Sequence, residues 1–150
     1  MEYTQRLTPE EALPRIRAVL SRGDSCRVVV TGNSMRPLLH DKKDAVILSR
    51  VVFPVHKRDI LFYVRPGGAC ILHQIYRIRK DGTLVMCGAA QMAPEPISPD
   101  AVVGRVTSVE RGGKTIPVTS PGWRFMTLLW ALLRPIRPLL FAIRRRMKKV

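Results

Sequence analysis

Short segments rich in valine and isoleucine fill the middle of the chain and constrain its fold more than any other feature. They are separated by Gly, Pro, Asp or Lys, a composition typical of β-strands between turns. The segments are CRVVVT, DAVILSR, DILFYVR, ACILHQIYRI, TLVMC and AVVGRVTSVE. Because no helix between them is long enough for a crossover, we expect about six or seven strands in a mainly antiparallel sheet or partly closed barrel, and not a βαβ fold. The proline-rich stretch APEPISP, residues 93–99, is predicted to be a loop.

A short helix is predicted before the first strand. Thr8 can cap it, Pro9 suits the first helical position, and Glu11 completes a capping box. The sequence Ser-Arg-Gly at 21–23 predicts its end. Pro14 lies beyond the first turn, so we expect it to kink the helix or delay its start.

The length of 150 residues is enough for one domain with a buried core. Three widely spaced cysteines, Cys26, Cys70 and Cys87, predict reduced thiols and neither a disulfide framework nor a zinc site. No cofactor or metal is predicted. The first residues contain acids and prolines where a signal peptide has its apolar core, so we expect a cytoplasmic protein.

The net charge of +15 calls for an acidic partner, which can be nucleic acid, an anionic membrane or an acidic peptide. From Pro121 onward the chain has eight Lys or Arg and no Asp or Glu, together with Trp123, Trp130 and many leucines. Basic and apolar residues together indicate a membrane surface. Nucleic-acid binding is disfavoured, because the sequence lacks zinc-finger spacing, an RNP-like strand and a helix-turn-helix pattern.

The C-terminal stretch WRFMTLLWALLRPIRPLLFAIRRRMKKV is close to the length of a membrane span, but Arg-Pro pairs at 134–135 and 137–138 interrupt it. We expect two short amphipathic helices that lie at the anionic inner face of the membrane, with snorkelling arginines. The alternative is a helix that packs on the β-body or on another subunit. The predicted organisation is a domain at 1–120, with its core at 26–110, followed by this segment at 121–150.

A serine and a histidine are the candidates for chemistry. In VVVTGNSMRPLL, residues 28–39, Ser34 follows a run of valines, but it can attack an amide only if a base removes its proton. The alternation of ACILHQIYRI places His73 among isoleucines on one strand face, where burial keeps an imidazole neutral. A structural, hydrogen-bonded histidine is the alternative interpretation. His40 and His56 are predicted to be solvated turn residues.

Four pieces of the sequence, in this order, resemble the S24/S26 superfamily of serine peptidases, which includes signal peptidases and phage-repressor proteases. The pieces are TGNSMRPLLHDKKDAVIL, HKRDILFYVR, CILHQIYRI and VVGRV, within roughly 28–109. The matching residues are Gly32, Ser34, Met35 and Pro37 of a Gly-x-Ser-Met-x-Pro box, Asp44 and Asp59 in two turns, His73 on the strand that bears the base, and Gly104 to Val106. The resemblance implies a signal-peptidase/LexA-like, mainly β-fold with a short N-terminal helix.

The resemblance also implies a function. In its histidine-base class, Ser34 would be the nucleophile, His73 the general base and then acid, and the Ser34 amide an oxyanion donor. Met35 and Pro37 would line the substrate groove. The expected activity is that of a serine endopeptidase that cleaves a peptide or protein precursor, such as a leader peptide, without a cofactor.

Two positions depart from the family pattern. Ala89 stands where relatives have an aspartate that orients the histidine, and Gly32 stands where many lysine-class members have a hydroxyl for the oxyanion hole. The carboxylates that could replace the aspartate are Asp59, Glu95 and Asp100. The alternative function is therefore a weak or inactive peptidase-like module that binds an extended peptide. A self-cleaving DNA-binding repressor is disfavoured, because the stretch before Val28 is too short for a DNA-binding domain.

Overall fold

A computed structural model describes residues 8–149, beginning with the predicted helix, α1 (Pro9–Ser21). The Thr8 hydroxyl accepts the Glu11 amide N–H at 3.2 Å, and the Glu11 carboxylate accepts the Thr8 N–H at 2.9 Å. These two bonds confirm the capping box. Pro14 lies at an exposed position inside the helix and does not delay its start, because α1 already begins at Pro9.

Eight strands form one sheet in which every pairing is antiparallel. They are β1 (Cys26–Val29), β2 (Asp44–Ser49), β3 (Ile60–Val64), β4 (Cys70–Ile78), β5 (Leu84–Cys87), β6 (Glu95–Ile97), β7 (Val102–Arg111) and β8 (Lys114–Pro117). The strand order is β1-β2-β7-β3-β4-β5-β6, and β8 pairs with β7. The expected mainly antiparallel β-fold is confirmed. The sheet does not close into a barrel, because β1 and β6 lie at opposite ends of this order.

Two strands were not expected from the sequence. The prediction of a loop across residues 93–99 is wrong for β6, where Pro96 lies opposite Val85 of β5. A proline is tolerated there because β6 is an edge strand, with no strand partner on its other side among residues 8–149. β8 returns from β7 through Gly112 and Gly113, whose positive φ values of 56° and 77° suit a tight hairpin turn.

The side chains of β3 alternate between two hydrophobic clusters. Ile60 and Phe62 belong to the larger cluster, which also includes residues of α1 and of the loop after β1. Leu61 and Tyr63 belong to the smaller cluster, with Ile75 of β4. β3 is therefore buried on both faces, as expected for the middle strand of the order.

The C-terminal residues form the two predicted helical pieces, α2 (Pro121–Leu132) and α3 (Arg137–Lys148), joined by a 3₁₀ turn at Arg134–Ile136. Trp123 is buried against the β-body, and the Trp130 indole N–H donates to the Ala89 carbonyl at 2.8 Å. Within residues 8–149, no single helix has the length and apolar character of a membrane span. Only the bent pair of α2 and 134–148, at an angle of 52°, meets that criterion.

Candidate active site

Ser34 lies in the loop that joins β1 to β2, and side-chain carboxylates hold this loop in shape. Gly32, at φ +84°, donates its N–H to the Asp41 carboxylate at 2.8 Å. The Asp44 carboxylate accepts the His40 N–H at 2.8 Å. These two hydrogen bonds lie on either side of Ser34 in the sequence and hold the backbone of the loop in place.

Asp44 also ties the loop to β7. Its side chain is buried and accepts hydrogen bonds from Arg111 Nε at 3.0 Å and Nη2 at 2.8 Å. Burial acts to raise the pKa of Asp44, but the bonds from Arg111 and the His40 amide outweigh it and hold the pKa below its usual range. Arg111 Nη2 donates as well to the Leu38 carbonyl at 2.7 Å. His40 lies at the start of a turn, and its partly exposed side chain is beside Asp44. His56 is exposed as predicted.

The structure brings Ser34 and His73 into contact. Ser34 Oγ lies 3.2 Å from His73 Nε2. His73 is on β4, opposite Leu61 of β3, and is only 3% exposed. A separation of about 2.6–3.2 Å is the range in which a base can take the proton of a serine nucleophile.

Tyr63 determines which nitrogen of His73 carries the proton. The Tyr63 hydroxyl donates its one hydrogen to the Glu95 carboxylate and lies 3.2 Å from His73 Nδ1. Because that hydrogen is already used, the Tyr63 oxygen can only accept, so Nδ1 must be the protonated nitrogen. Nε2 is then left with a lone pair that faces the Ser34 hydroxyl.

Glu95 supplies negative charge behind His73. Its Oε1 lies 3.9 Å from His73 Nδ1, and Arg65 binds the same carboxylate through Nε and Nη2 at 2.7–3.1 Å. Burial acts to raise the pKa of Glu95, but its bonds to Arg65 and Tyr63 outweigh that effect and lower the pKa. Glu95 is therefore ionised at neutral pH. Of the three carboxylates considered from the sequence, Glu95 is the one near His73, whereas Asp59 accepts the His56 N–H and lies near Arg105.

Burial dominates the electrostatics of His73. It lowers the pKa of His73 to about 4, although the Glu95 charge acts in the opposite direction and Arg65 adds to the lowering. We therefore expect the imidazole NMR signals of His73 to titrate with a midpoint near pH 4. The ring is then neutral, and able to accept a proton, throughout the neutral range. A midpoint near the ordinary histidine value of about 6.5 would contradict this electrostatic description.

Removing the Glu95 carboxylate should weaken the site through His73. If Ser34 and His73 catalyse a reaction, Glu95→Gln should lower its kcat by roughly 10- to 100-fold, less than the ~10⁴ lost with a directly bonded aspartate, because Tyr63 lies between the groups. The same change should shift the His73 titration to lower pH, since Glu95 acts to raise that pKa. Glu110→Gln is the matched control, as Glu110 binds Arg27 with similar exposure but lies outside this network. An unshifted His73 titration would contradict a positioning role for Glu95.

Tyr63 and Arg65 were not identified from the sequence. Both lie on the side of β3 that faces His73, because alternation puts them on the same face as Leu61, the residue opposite His73. The alternation within DILFYVR would identify Tyr63 and Arg65 as neighbours of His73 if the pairing of β3 with β4 were known. The pairing itself depends on a turn between β3 and β4 whose register the sequence does not specify.

Ala89 lies on a turn that contacts the backbone of Ser34. The Ser34 carbonyl accepts the Ala90 N–H at 2.9 Å, and a Cβ at Gly88 would come within 2.5 Å of the same carbonyl oxygen. The Ala89 side chain is buried in the larger cluster, whereas Tyr63 belongs to the smaller one. The carboxylate at this centre therefore comes from β6 and not from the turn at Ala89.

A groove of about 110 Å³ opens beside Ser34 and His73. It is lined by β1, the start of the following loop and β4, including the predicted Met35. The predicted Pro37 is exposed and is not among the lining residues. Within residues 8–149, the Ser34 N–H has no hydrogen-bond acceptor.

The chain matches no model of a known protein family, and no curated protein matches it. In the part of the chain that the structure describes, there is also no group of three or more His, Cys, Asp or Glu that could hold a metal ion. A function for this site has to be inferred from the contacts of Ser34 and His73 and from the resemblance of four sequence pieces.

Proposed function

We propose that the protein is a serine endopeptidase in which Ser34 is the nucleophile and His73 the general base. The observation that carries this proposal is the 3.2 Å contact between Ser34 Oγ and His73 Nε2, made while Nδ1 is held by Tyr63. A serine, a base and a group that orients the base are the three parts that activate such a nucleophile. The Gly-x-Ser-Met-x-Pro box and the order of the four pieces support the same function.

The proposed reaction proceeds through an acyl-enzyme. Ser34 Oγ forms a bond to the peptide carbonyl carbon while its proton moves to His73 Nε2, and the carbonyl oxygen becomes an oxyanion that the Ser34 N–H stabilises. The oxyanion then collapses, the C–N bond breaks, and Nε2 gives its proton to the leaving amine. A water molecule next attacks the ester carbon and passes a proton to Nε2. When this second tetrahedral intermediate collapses, the bond to Ser34 Oγ breaks, Nε2 returns the proton to Oγ, and the acid is released. Glu95 stabilises the imidazolium through Tyr63.

The proposed substrate is an extended peptide or protein precursor. β1 is the end strand of the sheet, and its outer edge has no strand partner among the described residues. Unpaired backbone groups on such an edge can bind a peptide as an added strand. The groove that runs from β1 to β4 then lies beside the bound peptide, with Ser34 within it.

A panel of candidate precursor peptides tests the proposal. We expect the parent chain to cleave at least one peptide at a single bond, and Ser34→Ala to leave it intact. Cleavage that persists in Ser34→Ala would show that another group, or a contaminant, is responsible.

A peptide-binding module without activity is the second candidate, and the unpaired edge of β1 favours it as much as it favours the peptidase. Ala89 also fits this candidate, since members of the superfamily that the sequence resembles have an acid there. The two functions differ in one outcome: only the peptidase converts a bound peptide into two products. Binding of a panel peptide that stays intact would favour the module.

We also propose that the C-terminal helices lie on an anionic membrane surface at the inner face of the membrane, which would make the protein peripheral and cytoplasmic. Large apolar side chains are exposed along this segment: Phe125, Leu128, Leu129, Leu132, Ile136, Leu139, Leu140, Ile143 and Met147. Eight Lys or Arg accompany them without any Asp or Glu. Apolar burial and attraction to anionic lipids both favour binding by such helices.

Vesicle flotation tests the membrane proposal. We expect the double change Leu132→Gln and Leu139→Gln to weaken binding to phosphatidylglycerol vesicles by about tenfold or more, because each exposed leucine would lose roughly 1.5–3 kcal/mol of burial. Val52→Gln and Phe53→Gln form the matched control, since these exposed apolar residues lie outside the segment. Equal losses in both pairs, or no flotation of the parent chain, would overturn the proposal.

A further inference from the structure

A second cavity among the described residues is larger than the groove beside Ser34. It has a volume of about 420 Å³ and lies between the turn before β3, strand β7 and the first turns of α2. None of its lining residues lines the Ser34 groove. The proposed peptidase reaction therefore leaves this cavity without a role.

The walls of the cavity are strongly basic. Lys57, Arg58, Arg105 and Arg124 line it with four permanent positive charges, against the single carboxylate of Asp59. The Oδ2 of that carboxylate accepts the His56 N–H at 2.8 Å and lies 3.9 Å from Arg105 Nε, so it can offset one of the four charges. The cavity consequently has an excess of positive charge that residues on its own walls do not neutralise.

Arg105 has a buried side-chain donor without an acceptor at this cavity. Its Nε is buried and has no hydrogen-bond partner among residues 8–149, and its nearest carboxylate oxygen, on Asp59, is 3.9 Å away. A buried donor without an acceptor is costly, more so when it is charged. An anion in the cavity would satisfy this N–H and pair its charge.

The backbone holds two walls of the cavity in place. Trp123, Arg124 and Thr127 on one side of α2 form one wall. On the opposite wall, the Arg58 N–H donates to the Ile75 carbonyl at 2.9 Å. This bond fixes the turn that presents Arg58, so its side chain starts from a defined backbone position.

We propose that this cavity binds a phosphoryl group, either of a phospholipid headgroup or of a soluble phosphate ester. Guanidinium groups bind phosphate through paired hydrogen bonds, and three of the four cations here are arginines. The volume exceeds what one small anion fills and falls in the range of sites for small organic ligands, so the phosphate carries an organic group. α2 contributes residues both to this cavity and, through its exposed apolar side chains, to the proposed membrane surface.

The test measures binding of inorganic phosphate to the full chain by broadening of its phosphorus NMR signal. The variant carries Arg58→Asn, which keeps a residue that tolerates the positive φ of 72° at this position, and Arg124→Gln. The control carries Arg77→Gln and Arg79→Gln, which removes the same charge from exposed positions away from the cavity.

We expect the phosphate dissociation constant to rise by about tenfold or more in the cavity variant and to stay unchanged in the control. No detectable binding by the parent chain, or equal weakening in both variants, would overturn the proposal. Phosphatidylglycerol vesicles that displace inorganic phosphate would support it and identify a lipid headgroup as the source. Displacement by glycerol phosphate, but not by vesicles, would support it and identify a soluble ester. Peptidase activity is not part of this readout, so the result is independent of the proposed reaction.

Discussion

Replacing Ser34 by alanine is expected to lower kcat/KM by about 10⁶, and replacing His73 by alanine should cost nearly as much. The reason is the 3.2 Å contact between them: without the hydroxyl there is no nucleophile, and without the imidazole the hydroxyl keeps its proton. His73 is buried at this position, so solvent cannot readily take over as the base. Initial rates on a peptide that the parent chain cleaves provide the measurement.

The double variant distinguishes a dyad from two independent contributions. Because the serine and histidine act in one step, Ser34→Ala combined with His73→Ala should be no slower than either single variant. Ser21→Ala and His56→Ala are matched controls at exposed positions and should cleave at the parent rate. If the loss of kcat/KM in the double variant equalled the product of the two single losses, the two residues would act separately.

Asp44→Ala is expected to lower the free energy of unfolding by about 3 kcal/mol, at the low end for breaking a buried ion pair. The change removes the acceptor for the His40 N–H and for two Arg111 donors, and the Arg111 side chain is only partly exposed to water. The loop that carries Ser34 should loosen at the same time. Urea unfolding measures the effect, and Asp24→Ala is the control, since that exposed pair with Arg22 should contribute less than about 1 kcal/mol.

The contribution of Asp44 to the free energy of unfolding should decrease in acid. The folded-state pKa of Asp44 is below its unfolded value, so its contribution is complete above about pH 4 and declines as the pH falls through the folded pKa. The difference in stability between the parent and Asp44→Asn should therefore narrow in acid. A difference that is constant from neutral pH into acid would contradict an ionised, paired Asp44.

Local patterns were sufficient to predict much of the fold. The capping box predicts α1 from Thr8 and Glu11, and the alternation of β-branched residues predicts six of the eight strands. β6 is not predicted because Pro96 and the flanking Pro94 and Pro99 favour a loop, and its strand conformation depends on pairing with β5. β8 was missed because Lys114–Pro117 is a short strand whose only partner is the preceding strand.

Local sequence patterns likewise predict one part of the candidate site, whereas strand pairing determines the other part. Ser34 and His73 are recognisable from their immediate neighbours, a turn box and an apolar strand face. Glu95 and Tyr63 meet only because β3 pairs with β4, β4 with β5 and β5 with β6, so their contact depends on three registers. The hydrogen bond from the Trp130 indole to the Ala89 carbonyl likewise depends on how α2 packs against the sheet.

Reaction of the intact chain with a phosphonyl fluoride tests the central claim most directly, because the reagent needs an activated serine but no known substrate. The proposed peptidase should gain one phosphonyl group, located on Ser34 by peptide mass spectrometry. His73→Ala should slow the reaction by ~10³ or more, while His56→Ala should leave its rate unchanged. Failure of Ser34 to react, or reaction that is equally fast without His73, would contradict the assignment of Ser34 and His73 as nucleophile and base.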